Sequence, residues 1–222
     1  MNLGNNFKYK GKEFNLMETQ VADPATNFSF KQINKKAFVL NGISIFLGFI
    51  FFSSGLAKLY FEHKFPGIIG PVWLEARLEE YNLGLFARFV AYAQVIIGFL
   101  LLTLRYRTLG AIGLLPMLLN ILVITISLHW QGTPYVIAVF LLLNLLLLVA
   151  EAPKLLHLIG FKTTHPIQAS QNPGKMGILW LLGFALVLLS SNISYYNLQL
   201  AYIFNATGVF TALYSFYKGG RV

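Results

Sequence analysis

Long, unbroken apolar runs alternate with short polar joints along this chain. Six runs stand out: Ala37 to about Tyr60, about Leu85 to Leu104, Thr108 to about Leu128, about Thr133 to Ala150, Met176 to about Ile193, and about Asn197 to Tyr217. A helix rises about 1.5 Å per residue, so about 20 residues cross the roughly 30 Å of bilayer hydrocarbon. Each run has about that reach. The second and fourth are near the short end, where interfacial tilting or snorkelling completes the crossing. Stretches such as "LLPMLLNILVITISL" lack the apolar–polar alternation of a membrane barrel strand. Backbone groups in lipid must then be satisfied within each segment, which leaves the helix. The pattern predicts an all-α, polytopic membrane protein with about six transmembrane helices.

The joints divide the chain. Residues 1–36 form a polar, basic tail containing Lys8, Lys10, Lys12, Lys31, Lys35 and Lys36, with no apolar run of the kind a secretory signal needs. Residues 37–155 hold four of the runs, 156–175 form a polar linker, and 176–222 hold a two-helix hairpin and a short tail. After the first run, Pro66, Gly67, Gly70 and Pro71 break the chain. The spacing of Leu74, Leu78, Tyr81 and Leu85 then predicts a short amphipathic helix over about 72–81, lying on the outer membrane face.

Composition agrees: 56% of the 222 residues are hydrophobic and 11% are charged, against about 25% charged in a soluble domain. The net charge of +9 is a matter of orientation rather than of nucleic acid. Arg105, Arg107, Lys154, Lys162, Lys175, Lys218 and Arg221 fall on the same side as the N-terminal tail, whereas the turns "HWQGTP" and "SNISYYN" carry no Lys or Arg. The positive-inside bias then places both termini in the cytoplasm. The chain has no cysteine, which excludes disulfides, thiolate nucleophiles and Cys-ligated metal within it.

Ionisable and polar groups at membrane depth are costly, and each asks for a reason. Lys58 is the sharpest case. It shares a helical face with Ser54, one turn earlier, and Glu62 follows one turn later. Two readings stand: an ammonium turned into the bundle to meet a carboxylate, an anion or a quinone-like headgroup, or an interfacial anchor that snorkels outward. Gln94 lies deeper, where an amide needs an interhelical partner. With His129, these residues make a candidate pocket or ion-pair site on the outer side. Asn120 and Ser127, and Asn144 and Glu151, each lie seven apart and read as polar contacts between helices, with Glu151 at a solvated cytoplasmic end. Trp73, Arg88 and Trp130 read as interfacial anchors. Haem ligation would need a second intramembrane His beside His129, and His63, His157 and His165 fall in loops. No metal site is expected.

The stretch "LGFIFFSSGLAKLY", the amphipathic segment and "ARFVAYAQVIIGFLLLTLRYRTLGA" resemble the DoxX/MauE-type family of small bacterial membrane proteins over about residues 40–155. The matching positions are Gly55, Lys58 and Leu59 in the first run, and Gln94 before Gly98 in the second, where the family pattern carries an acid. Glutamine exchanges no proton and does not neutralise Lys58. The resemblance implies a four-helix bundle in the bacterial cytoplasmic membrane, associated with redox systems. The expected function is that of an accessory or assembly subunit of a membrane-bound redox or respiratory complex. Its partners are the bilayer and other membrane subunits, it has no cofactor of its own, and no catalysis is expected from this chain alone. The alternatives are a quinone-linked or anion-handling oxidoreductase with an outer-side pocket, and a small transporter.

Overall fold

The computed structural model describes residues 35–68, 74–158, 160 and 173–219. The elements are α1 (Lys35–Leu59), a 3₁₀ turn (Phe61–His63), α2 (Leu74–Glu79), α3 (Gly84–Leu102), α4 (Arg107–Ser127), α5 (Thr133–Leu158), α6 (Pro173–Ile193) and α7 (Leu198–Gly219). Among the described residues there is no strand. Within α1, α3, α4, α5 and α6 lie five stretches long and apolar enough to cross a membrane. The α7 helix, of 22 residues, matches them in length. It differs in composition, because Asn205, Thr207, Thr211 and Ser215 interrupt its apolar run.

The elements depart from the apolar runs at two places. The amphipathic helix expected over 72–81 is the six-residue α2. The fourth run was expected to end at Ala150, yet α5 continues through Pro153 to Leu158. A proline loses one backbone donor, and packing of this end against α4 through Glu151 outweighs that loss.

The α1 and α3 helices are the spine. Their backbones touch where Gly48 faces Leu102 and Gly98 faces Phe52, and a methyl at either glycine would run into backbone atoms. Such an approach needs small residues and is a common way for helices to pack where burial from water gives no drive. One side of this pair meets α4 and α5, in a core built on Leu47, Phe51, Leu114, Leu118 and Phe140. The other side meets the α6–α7 hairpin, in a core containing Phe52, Leu56, Phe99, Trp180 and Val187. The hairpin has its own glycine contact: a Cβ on Gly183 would lie 2.5 Å from the Gly208 carbonyl. Trp180 docks it by donating Nε1–H to Thr103 Oγ1 at 3.0 Å. At the opposite end the Tyr60 hydroxyl bonds Ser190 Oγ at 3.0 Å. Outward faces stay apolar, with Val123, Val139, Leu142 and Val149 all exposed.

The two ends of the bundle differ in charge. The start of α1, the α3–α4 joint, the start of α6 and the end of α7 share one end, and bring Lys35, Lys36, Arg105, Arg107, Lys175 and Lys218 to it. Arg105 is fully buried there and donates Nη1–H to the Ser215 carbonyl in the last turn of α7, at 3.2 Å. A cation at a helix C-terminus opposes the negative end of the helix dipole.

Candidate functional site

At the other end of the bundle, a cavity of about 310 Å³ opens between α1, α3, α4 and α5. Its wall is mostly apolar: Ile50 and Phe51 from α1, Val90 from α3, Ile121 from α4, Ile137 and Phe140 from α5. Leu78 of α2 also lines it and is 2% exposed, so the short amphipathic helix is held by its apolar residue against the cavity. Ser54, Lys58, Gln94, Thr125, Gln131 and Thr133 supply polar groups. A ligand-sized hollow with apolar walls and a few converging polar groups is the usual anatomy of a small-molecule site.

Lys58 is 7% exposed, so the ammonium is held inside the bundle rather than at the interface, and the anchor reading does not hold. The reason is local. Lys58 sits in the last turn of α1, and its Nζ folds back to donate to the Ser54 carbonyl at 3.0 Å and to Ser54 Oγ at 2.7 Å. It also reaches across to Gln94 Oε1 of α3 at 3.2 Å. An ammonium has three donors, and all three acceptors are neutral. Among the described residues no carboxylate pairs with Lys58. Glu62, expected one turn on, lies beyond the helix end with φ of 49° and forms an exposed pair with Lys64 instead, at 2.5 Å.

Ser54, Lys58 and Gln94 are therefore brought together. His129 is not among the residues lining the cavity; it is exposed, with φ of 52°, just past the end of α4. Its neighbour Trp130 turns in to line the cavity, half-buried rather than standing at the rim as an anchor alone. Arg88 is exposed on α3. Trp73 lies outside the described residues. Sequence reasoning missed Thr125, Gln131 and Thr133. The one signal for Gln131 and Thr133 was the polar joint "HWQGTP" between two apolar runs, which reads equally well as a simple turn, and Thr125 stands inside the third apolar run with no signal of its own.

The residues expected to join helices divide. Asn144 is fully buried and donates Nδ2–H across to the Ala111 carbonyl of α4 at 3.0 Å. Glu151 is 4% exposed, not solvated, and bonds Arg107 and Thr108 of α4. Asn120 and Ser127 are exposed and bond back to their own helix, at Pro116 and Val123, so they join no neighbour. A short polar side chain satisfies itself on the preceding turn when no helix is packed opposite it.

The fold and site define a class: among the described residues, a helical bundle built of membrane-length apolar helices, with a cavity near one end that is lined by a buried lysine. No family model, no curated protein and no solved structure matches the chain.

Proposed function

We propose that this is an integral protein of a bacterial cytoplasmic membrane that crosses it six times, with both termini in the cytoplasm. It serves as an accessory subunit of a membrane redox assembly and contributes a ligand cavity rather than a catalytic centre of its own. The observation that carries this is the buried Lys58 ammonium on the wall of an apolar cavity, with no acid among the described residues that line it. A lone buried cation suits binding and orientation. Proton transfer by general acid and base would need a further titratable group within reach, and the described residues lining the cavity offer Lys58 alone. The basic end opposite the cavity supports the orientation, because Lys and Arg gather on the cytoplasmic side. The hairpin docked on α1 and α3 supports counting α7 as a sixth span. The DoxX-like stretch "SSGLAKLY" supports the redox association.

A second reading, a quinone-handling oxidoreductase, draws on the apolar wall beside the Lys58 and Gln94 donors, since a quinone carbonyl accepts such bonds. Purification in a mild detergent tests the subunit reading. A heavier assembly with other membrane subunits is expected, and a chain that runs alone from native membranes overturns it. Turnover of a quinone analogue by the isolated chain would favour the second reading.

A further inference from the structure

The charge balance of the cavity sets what chemistry an occupant would need. Lys58 is the one ionisable side chain among the described residues that line it. Its three N–H donors are taken by the Ser54 carbonyl, Ser54 Oγ and Gln94 Oε1. Its hydrogen bonds are satisfied, but no described residue balances its charge. A cation withdrawn from water and left without a counter-charge is costly, and an anion in the same site removes that cost. The Ser54 hydroxyl hydrogen and the Gln94 amide N–H groups remain as donors for such an anion.

Size and lining describe the rest of the occupant. A volume of about 310 Å³ stands at the lower end of small-molecule sites. At roughly 10–15 Å³ of such space for each water-sized group, it has room for a molecule of on the order of ten to twenty non-hydrogen atoms. Beyond the ammonium, the described wall is apolar at Ile50, Phe51, Ile121, Ile137 and Phe140 and carries only neutral polar groups at Thr125, Gln131 and Thr133, so it holds no second cation for a second negative charge.

We propose that the cavity takes a small organic monoanion, a carboxylate on a short apolar body, with its head against Lys58. This rests on reading the cavity as a ligand site, and adds the charge and size of the ligand. A neutral quinone fits the wall but leaves the ammonium uncompensated. A dianion carries more charge than the site neutralises. An inorganic anion leaves the apolar wall unused.

The test uses the whole protein in lipid nanodiscs and the indole of Trp130, which lines the cavity. Octanoate carrying a terminal bromine quenches an indole it touches, and the matching bromo-octanol is its neutral counterpart. The Trp130→Phe variant identifies the signal from this residue. Saturable quenching of Trp130 by bromo-octanoate is expected, at least roughly tenfold tighter than by bromo-octanol. Lys58→Met should abolish that preference. Gln94→Glu, which places a carboxylate beside the ammonium, should abolish it too, while Lys58→Arg should keep it. Retained helical content shows that each variant is folded. Equal binding of acid and alcohol, or an unchanged preference in folded Lys58→Met and Gln94→Glu, overturns the monoanion and leaves the cavity as a neutral-ligand site. Displacement by acetate as effective as by octanoate overturns the apolar body. If neither bromo compound reaches Trp130, the ligand-site reading itself fails.

Discussion

Arg107 and Glu151, 44 positions apart, form an ion pair where α4 and α5 cross, and each side chain is 4% exposed. Asn41 of α1 accepts a second Arg107 hydrogen bond at 2.9 Å, and Thr108 donates to the other Glu151 oxygen at 3.0 Å. One buried charge pair thus ties three helices together at the basic end of the bundle.

Removing one partner strands the other in an apolar interior, which typically costs about 3–5 kcal/mol. Glu151→Ala and Arg107→Met should each lower the thermal unfolding midpoint of the detergent-solubilised protein sharply. The double Arg107→Met, Glu151→Met variant should cost less than the sum of the singles, because no charge is stranded. Strictly additive losses would mean that the two charges do not depend on each other.

The spine makes a prediction about space. A methyl at Gly98 meets the Phe52 backbone, which cannot move aside as a side chain tip would. Gly98→Ala should therefore separate α1 from α3 and destabilise by about 1–3 kcal/mol. Gly42 lies in α1 with nothing within 4 Å of an added methyl. Gly42→Ala should be neutral or stabilising by up to about 1 kcal/mol, since alanine is the better helix former. The same chemical change, made 56 positions apart in sequence, should thus move the unfolding midpoint in opposite directions. A harmless Gly98→Ala would show that the helices do not meet there.

What was legible in the sequence follows from period and length. Unbroken apolar runs announce helices, and five stretches long and apolar enough to span follow from them; α7 carries too many hydroxyl and amide groups to stand with them. Ser54 and Lys58 share a face by helical spacing alone, so half of the site was readable locally. Gln94 was singled out for its depth, but its pairing with Lys58 across 36 positions is tertiary. The Arg107–Glu151 pair was hidden for a related reason. Both residues stand at run boundaries, where a solvated charge costs little, and their pairing across 44 positions is likewise tertiary. Asn120 and Ser127 misled because period places residues on a face without saying whether another helix packs there.

Orientation is open to direct chemistry because the chain has no cysteine. A single cysteine introduced anywhere becomes a unique label. In intact cells, Gln131→Cys at the cavity end and Tyr196→Cys in the α6–α7 turn should react with a membrane-impermeant maleimide. Lys36→Cys and Lys218→Cys should react only after the membrane is opened. Labelling of either basic-end position from outside would invert the topology, and Tyr196 protected together with Lys218 would remove the hairpin from the membrane.

The last prediction separates a residue kept for binding from one kept for stability. Lys58 stands in an apolar wall with three neutral acceptors and no counter-charge among the described residues. The hydrogen bonds to Ser54 and Gln94 offset part of the desolvation cost, and the remainder is a standing charge against the folded state. Methionine fills a similar volume without charge and packs adaptably. Lys58→Met in the unliganded protein should therefore match or exceed the wild-type unfolding midpoint, as is common where a site holds a strained group for function. Glu62→Gln, at an exposed pair, should change stability by less than about 0.5 kcal/mol. A Lys58→Met variant that unfolds several degrees earlier would identify the ammonium as structural cement between α1 and α3. A more stable variant that no longer discriminates acid from alcohol would mean that the cost of burying Lys58 is borne for its ligand.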